Sequence, residues 1–298
     1  MPRVALKIDV DTYRGTREGA LRLAGLLERL GVKASFLFSL GPDHTGRAIK
    51  RAFRRGFLGK VKRTSVLEHY GVKTLMYGVL LPGPHIGKRC AGEMRGIAQS
   101  GFEVGVHTWD HVRWQDGVAT ASEPWTRREL TRARDQFAEV FGHFPVVHGA
   151  AGWQMNAYLP QLQQELGFRY ASDTRGSAPF LPQLAHGVGR VPQLPTTLPT
   201  LDELIGRPDL RGAGPVEHLL ELTAAATGRD QVFTLHAELE GGAYLADFER
   251  LLRAWQGRGF ELTDLGSYAA GLDLARLPQG RIVTGSVEGR SGTLAVQA

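Results

Sequence analysis

The sequence predicts an α/β fold in which parallel strands form a small or incomplete barrel. Short runs rich in Val, Ile, Leu and Phe alternate with longer segments of helical periodicity, a pattern typical of a parallel sheet covered by helices. Most of the short runs are apolar on both faces, as expected of strands that are buried on two sides. Polar residues collect where these runs end, and the carboxyl ends of barrel strands are where active sites form.

Seven short runs are candidate strands, a number that suits an incomplete barrel. They are Val4–Asp9, Lys33–Ser39, Phe102–His107, Phe144–Gly149, Phe168–Asp173, Gly189–Pro195 and Gln231–His236. Three of the intervening segments have the apolar spacing of amphipathic helices and end at or near a glycine. These predicted helices are Thr16–Gly31, Pro124–Gly142 and Leu245–Gly259.

The chain is expected to contain one catalytic domain, residues 1–271, with an insertion and a tail. Residues 46–84 are too many for a simple connection between two elements, and residues 192–214 are rich in Pro and Thr. Residues 272–298 are Gly-rich and lack a clear periodicity. We therefore expect them to form a weakly ordered C-terminal tail.

The composition is that of a soluble globular protein, with 42% hydrophobic and 22% charged residues. The lone cysteine, Cys90, excludes an internal disulfide framework and fits a reducing compartment. The start of the chain, "MPRVALKIDVD", lacks the pattern of a signal peptide. No stretch of roughly 18 uninterrupted apolar residues predicts a membrane span. These features predict a cytoplasmic protein.

The net charge of +6 comes from one segment of the insertion. Gly46–Arg63 contains eight Lys or Arg residues and no acid, and without them the rest of the chain carries −2. On a helix, the apolar and basic side chains of this segment would lie mostly on opposite faces. They are Ile49, Phe53 and Phe57 on one face, and Lys50, Arg51, Arg54 and Arg55 on the other.

Such a basic amphipathic helix can lie on an anionic membrane surface, which predicts a peripheral position on the inner face of the inner membrane. The alternative is a surface helix whose apolar face packs on the barrel. No recognised nucleic-acid motif accompanies the basic segment, so we expect no nucleic-acid partner.

The first predicted strand ends in "IDVD", which places Asp9 and Asp11 on the same face of an extended chain. Two carboxylates on one face repel each other, and a cation commonly relieves that repulsion. The third predicted strand runs into "HTWDH", which contains His107 and His111. One carboxylate and two imidazoles, from Asp11, His107 and His111, would leave coordination positions open for water and substrate.

The motif "HTWDH" has two other interpretations. A zinc-protease helix needs Glu directly after its first histidine, and Thr108 occupies that position, so this interpretation is excluded. The second interpretation is that both histidines pack beside Trp109 and Trp114 without a metal. The ligand set Asp11, His107 and His111 suits one divalent ion, either Zn, Co, Mn or Fe(II), without choosing among them.

Five motifs together resemble the polysaccharide deacetylases of the NodB-homology type, carbohydrate esterase family four. They occur in order as "IDVD", "HTWDH", "HGAAGW", "ASDTRG" and "TLH". A closer resemblance is to the subfamily that deformylates 4-deoxy-4-formamido-L-arabinose linked to phosphoundecaprenol. The segments that carry it are "IDVDTYRGTREG", the basic insertion after "SLGPD", "LPTTLPTLDELIGR" and "HAELEGGAY". The resemblance covers about residues 3–270.

This resemblance implies an incomplete (β/α)7 barrel that hydrolyses an N-acyl sugar with the help of a metal. Asp11, His107 and His111 would hold the metal, Asp9 would act as the general base, and His236 would act as the general acid. The implied reaction removes formate from the lipid-linked sugar for aminoarabinose modification of lipid A and resistance to cationic peptides. The alternative is a deacetylase of N-acetylated cell-wall or capsule sugars, against which the absence of an export signal weighs.

The chain departs from the family's pattern in two places. A valine separates the aspartates of the first motif, and "HGAAGW" lacks the arginine with which the third motif orients the base. Arg14 or Arg175 is the expected substitute for that arginine. A backbone N–H near Trp153 is expected to stabilise the oxyanion. Asp173 is expected to hold a histidine proton and keep the acid charged, and the alternative is a structural role, since "SDTRG" is also a good turn sequence.

Overall fold

The computed structural model describes residues 1–48, 72–210, 214–226, 228–290 and 292–298. Within these residues, strands and helices alternate along most of the chain. The strands are β1 (Arg3–Val10), β2 (Ser35–Ser39), β3 (Glu103–Thr108), β4 (Val147–His148), β5 (Tyr170–Ala171), β6 (Leu181–Leu184), β7 (Gly187–Val188), β8 (Gln231–His236), β9 (Glu261–Thr263), β10 (Gln279–Gly280), β11 (Ile282–Gly285) and β12 (Leu294–Gln297). The helices are α1 (Ala20–Leu30), α2 (Ile86–Arg89), α3 (Ala91–Gln99), α4 (His111–Gly117), α5 (Glu123–Phe141), α6 (Leu159–Glu165), α7 (Leu201–Leu204), α8 (Gly214–Ala225), α9 (Leu245–Gly257) and α10 (Leu265–Ala270).

One parallel sheet organises the fold. In the described part of the chain it has seven strands, in the order β5-β4-β3-β2-β1-β8, with β9 also paired to β1. Strand β1 pairs in parallel with three strands, β2, β8 and β9. The sheet curls into a half-barrel covered by helices, which confirms the predicted incomplete α/β barrel.

The sixth predicted strand is wrong. Residues 189–195 form only isolated bridges, in which Gln193 pairs with Ala171 and with Phe180. Pro192 and Pro195 lack backbone N–H groups, so this segment cannot sustain a ladder of hydrogen bonds. The seventh strand of the sheet is instead β9, which the sequence analysis did not identify.

The three predicted helices are confirmed, and two of them end at the predicted glycine. Gly31 caps α1 with φ 63°, and Gly142 caps α5 with φ 79°. Both glycines adopt the left-handed conformation that L side chains disfavour. A π-helical turn, Gly15–Gly19, precedes α1 and joins it to the loop after β1.

The C-terminal tail is not weakly ordered in this structure, contrary to the sequence expectation. β11 and β12 pair as an antiparallel hairpin, and Leu294 and Ala295 are buried. The backbone of Arg175 supplies the pairing partner: its N–H donates to Ala295 O, and its carbonyl accepts from Gln297 N–H. The tail is ordered by pairing with backbone from a distant part of the chain, which periodicity within the tail could not reveal.

The basic part of the insertion, residues 49–71, lies outside the described residues. The predicted amphipathic face, with Ile49, Phe53, Phe57 and the basic residues between them, falls within that range. After it, Val79, Leu80 and Leu81 are exposed, Leu80 to 74%. Among the residues that the structure describes, no helix is both long enough and apolar enough to cross a membrane.

Candidate active site

Three predicted metal ligands meet at the carboxyl edge of the sheet. Asp11 follows β1, His107 lies near the end of β3, and His111 begins α4. His107 Nε2 lies 3.2 Å from Asp11 Oδ1, and His111 Nε2 lies 3.4 Å from Asp11 Oδ2. One ligand atom from each residue falls within 4.8 Å of the others. The prediction that these three residues converge is therefore confirmed.

The donor set fits a divalent metal ion. Asp11 Oδ1 and His107 Nδ1 are buried, and neither has a hydrogen-bond partner among the described residues. Burial alone would raise the pKa of Asp11, but His111 and His107 outweigh it and lower that pKa. Burial also lowers the pKa of His111. The site thus favours a carboxylate beside neutral imidazole, which are the forms that bind metal.

Glu238 holds the loop that carries Asp11, a role that no sequence motif indicated. Its Oε1 accepts hydrogen bonds from the backbone N–H of Asp11 at 3.1 Å and of Thr12 at 2.8 Å, and from Thr12 Oγ1 at 2.8 Å. A Cβ on Gly15 would lie 1.9 Å from the same oxygen, so a side chain there would have to displace the Glu238 carboxylate. Burial, followed by the nearby charge of Asp11, raises the pKa of Glu238 to about 8.

The predicted base and acid lie side by side. Asp9 on β1 is directly in register with His236 on β8. Asp9 is buried, and its Oδ1 lies 3.5 Å from His107 Nδ1. The backbone N–H of His236 donates to Glu240 Oε2 at 2.9 Å, which fixes the end of β8. A carboxylate and an imidazole therefore flank the metal ligands on adjacent strands.

Asp202 is the acidic partner of His236. Its Oδ1 lies 3.7 Å from His236 Nδ1 and also accepts a hydrogen bond from Thr200 Oγ1. Burial lowers the pKa of His236, but Asp202 foremost, with Asp11, Glu240 and Asp9, outweighs burial and raises that pKa to about 9. His236 is therefore protonated at neutral pH, as a general acid requires.

The expectation for Asp173 needs correction. Its Oδ1 lies 2.7 Å from His148 Nδ1 and accepts the backbone N–H of Ala150, while its Oδ2 accepts from Gln163 and Gln193. Asp173 thus holds a histidine of the third motif, and the partner of the acid comes from α7. The reason is topological: β5 lies at the far end of the sheet from β8, whereas the loop before α7 lies beside β8.

Trp153 is buried beside Lys7, and its own backbone does not supply the oxyanion donor expected near it. Its N–H donates to Ala150 O, and its indole N–H donates to Thr196. Three cations lie over its ring, at 4.4 to 5.2 Å from the ring centroid: Lys7, Arg175 and Arg290. Trp153 also has φ 53°, an uncommon value for a residue other than glycine.

The two arginines expected near the base are engaged elsewhere. Arg14 pairs with Glu18 at 3.0 Å on the surface. Arg175 is buried and pairs with Glu203 at 2.5 Å, and it donates to two backbone carbonyls. The cation beside Asp9 is Lys7, whose Nζ lies 3.3 Å from Asp9 Oδ2. The strand pattern could have identified it, because residues two apart share a face.

Two cavities open beside α4, and none of Asp11, His107 and His111 lines either of them. One of about 480 Å³ is lined by residues that include Arg47, Val112 and Trp125, and one of about 570 Å³ includes Trp109. Both lie within the size range of small-ligand sites. Asp110, between His107 and His111, caps α4 and lies 2.6 Å from His44, which lines both cavities.

Comparisons with known proteins identify the family of this chain. The polysaccharide deacetylase family model matches residues 59–171. A probable 4-deoxy-4-formamido-L-arabinose-phosphoundecaprenol deformylase of Shewanella sediminis is 35% identical, over 99% of this chain and 95% of that protein. A protein of the same name from Wigglesworthia glossinidia brevipalpis is 30% identical, over 95% of this chain and 98% of that one.

The fold comparison points the same way. The crystal structure of a protein described as a polysaccharide deacetylase from Mycobacterium smegmatis covers 96% of this chain, which in turn covers 94% of that one. The TM-score is 0.64 at 20% identity. At that identity the likeness concerns the fold alone, but the two deformylase relatives match nearly end to end. This chain belongs to the polysaccharide deacetylase family, an amide hydrolase family, and groups there with those two relatives.

Proposed function

We propose that this chain removes the formyl group from 4-deoxy-4-formamido-L-arabinose linked to undecaprenyl phosphate. The products are formate and the 4-amino sugar lipid, for aminoarabinose modification of lipid A and resistance to cationic peptides. The observation that carries the proposal is the metal triad beside an in-register base and acid, in a chain similar over its whole length to probable deformylases of that lipid.

One divalent metal ion, Zn, Co or Mn, would be held by Asp11, His107 and His111. When bound, it would supply Lewis-acid polarisation of the formamide carbonyl and increase the acidity of a nearby water. The remaining chemistry belongs to side chains of this chain. Asp9 accepts a proton from the water whose oxygen forms the new bond to the formyl carbon.

His236 completes the reaction from the other side of the site. As the bond between carbon and nitrogen breaks, His236 donates its proton to the leaving sugar nitrogen, and formate is released. Asp202 favours the protonated imidazole before this step. Its charge therefore keeps the acid ready at neutral pH, where free histidine would be largely neutral.

Product analysis with two substrates tests the proposal. The metal-loaded enzyme is incubated with a synthetic formamido-arabinose phospholipid, and formate is measured. In parallel, acetate release is measured from N-acetylglucosamine oligomers. We expect formate from the first and no acetate from the second, and no formate from the Asp9→Asn variant. Acetate release without formate would instead assign the chain to deacetylation of N-acetyl sugars.

We propose further that the enzyme acts as a peripheral protein on the cytoplasmic face of an anionic membrane. The support is the basic run Gly46–Arg63 in the sequence and the exposed apolar turn Val79–Leu81 that follows the insertion. Each Lys or Arg near an anionic surface contributes about 1 kcal/mol, reduced by salt. Attachment would bring the site to the sugar phosphate of a membrane lipid.

Liposome flotation tests the membrane proposal. We expect the protein to float with anionic vesicles, and less so when Lys50, Arg51, Arg54 and Arg55 are all changed to Gln. The matched control changes four exposed residues on the outer face to Gln and keeps flotation: Arg29, Lys33, Arg250 and Arg253. Equal flotation of both variants would show that the insertion does not bind the membrane through charge.

A further inference from the structure

Lys7 is a charged residue in a strand that is buried over nearly its whole length. It lies in the middle of β1 and is 0% exposed, like its neighbours Leu6 and Ile8. A buried ammonium group is costly unless it is paired and hydrogen-bonded. An apolar residue at this position would avoid that cost. The groups that contact the Lys7 ammonium therefore indicate which function its charge serves.

The Nζ of Lys7 points at the carboxyl edge of the sheet, where the reaction takes place. It lies 3.3 Å from Asp9 Oδ2, donates to Ser172 O at 3.0 Å, and lies 5.2 Å from the centroid of the Trp153 ring. A Cβ on Gly149 would lie 2.8 Å from Lys7 Cε, so the glycine of "HGAAGW" leaves room for the lysine. The Lys7 side chain thus occupies the space beside Gly149, in a motif that contains no Lys or Arg.

The two oxygens of Asp9 have different surroundings. Oδ2 faces Lys7, whereas Oδ1 is buried without a hydrogen-bond partner in the described parts of the chain. A carboxylate held at one oxygen presents the other in a fixed direction. That direction is toward the metal ligands, because Oδ1 lies 3.5 Å from His107 Nδ1.

We propose that Lys7 is the residue that positions Asp9, the general base. It acts through Asp9 and not on the substrate. Lys7 anchors Oδ2 by an ion pair and leaves Oδ1 free to accept the proton of the attacking water. This inference rests on the proposed function, since it concerns the base of that same reaction.

Steady-state kinetics of three variants test the inference. The metal-loaded enzyme hydrolyses the formamido-arabinose phospholipid, and kcat, KM and metal content are measured for each protein. In Lys7→Met, which keeps the chain length and removes the charge, kcat falls about 10- to 100-fold, as for other residues that orient a reacting group, with KM and metal content unchanged. Lys7→Arg recovers most of that loss. Lys33→Met, at an exposed lysine, changes neither constant.

The outcomes separate this inference from the proposed function. If the unaltered enzyme releases no formate, the proposed function fails. If it releases formate and Lys7→Met has an unchanged kcat, or Lys7→Arg is as slow as Lys7→Met, the positioning role is wrong.

A stability measurement covers the case in which Lys7→Met folds poorly. Removing one partner leaves Asp9 buried without its cation, so the double variant Lys7→Met/Asp9→Asn should unfold at a higher urea concentration than Lys7→Met alone. A double variant no more stable than the single one would overturn the pairing on which the inference depends.

Discussion

The two halves of the active site are assembled in different ways. The metal half, defined as Asp11, His107 and His111, comes from the ends of two strands of the same sheet and the first residue of α4, which follows one of them. The acid half, defined as His236, Asp202 and Arg290, brings together a strand end, a short helix and the C-terminal hairpin. The position of the metal half is set by which strands are neighbours in the sheet. The acid half depends in addition on a short helix and a hairpin that lie outside that sheet. The halves should therefore respond differently to substitution.

The largest effect is expected in the metal half. His107→Ala removes one of three ligands, so metal content should fall below one equivalent and formate release should fall by about 10³-fold or more. That is the loss expected when several kcal/mol of electrostatic stabilisation disappear. Metal content is measured by elemental analysis of the purified protein. Activity lost at full metal occupancy would contradict the ligand assignment.

Substitution of His236 should lower activity without changing metal binding. In His236→Ala the leaving nitrogen has no proton donor, so kcat should fall about 10²- to 10⁴-fold. The metal half is untouched, and metal content should equal that of the unaltered enzyme. Elemental analysis and formate release on the same sample check both statements. Parallel loss of metal and activity would mean that the two halves are one unit.

The same contrast explains what the sequence could predict. Strands that alternate with helices predict a parallel sheet, and the carboxyl ends of parallel strands share one edge, so Asp11, His107 and His111 could be expected at one edge from their positions alone. Lys7 could have been predicted as a site residue from the alternation of side chains along a strand. Lys7 lies two residues before Asp9, so both side chains lie on one face of β1. Only polar residues at strand ends were predicted as site residues, and Lys7 lies in the middle of its strand.

The acid half could not be predicted in this way. Asp202 lies 34 residues before His236 in a segment whose composition suggests only a loop, and a capping box at Thr200 fixes its helix. Arg290 reaches the site because the tail pairs with the backbone of Arg175, a contact between distant parts of the chain. Contacts of this kind leave no periodic pattern in either segment.

A moderate effect with a defined pH dependence is expected from Asp202→Asn. The pKa of His236 is raised to about 9, so the protonated acid is present below that pH and lost above it. Without Asp202 the pKa falls, although Glu240, Asp9 and Asp11 still face the imidazole. Activity should therefore change little near pH 6, whereas near pH 8.5 it should fall by up to about tenfold, the factor that one pH unit represents.

The control for this variant is Asp209→Asn, an exposed aspartate paired with Arg207 away from the acid. Profiles of kcat/KM against pH are measured for both proteins and the unaltered enzyme. Only Asp202→Asn should shift the alkaline limb to lower pH. An alkaline limb that coincides for all three proteins would remove Asp202 from the acid half.

The smallest effect is expected at the edge of the acid half. Arg290 lies 3.2 Å from Glu203 and 3.9 Å from Asp202. In Arg290→Gln, Glu203 keeps Arg175 as its partner, so the helix that carries Asp202 stays in place. Partly exposed ion pairs contribute about 0.2 to 1 kcal/mol, and kcat/KM should therefore change by no more than about fivefold.

A double variant shows whether that small effect belongs to the acid half at all. If Arg290 acts through Asp202, adding Arg290→Gln to Asp202→Asn should change kcat/KM no further, because the group it acts on is already neutral. If the two effects multiply, Arg290 acts by another route, such as its contact with the Trp153 ring at 4.4 Å. The hairpin would then act through its contact with Trp153 and not through the pKa of His236. The acid half would contain only His236 and Asp202.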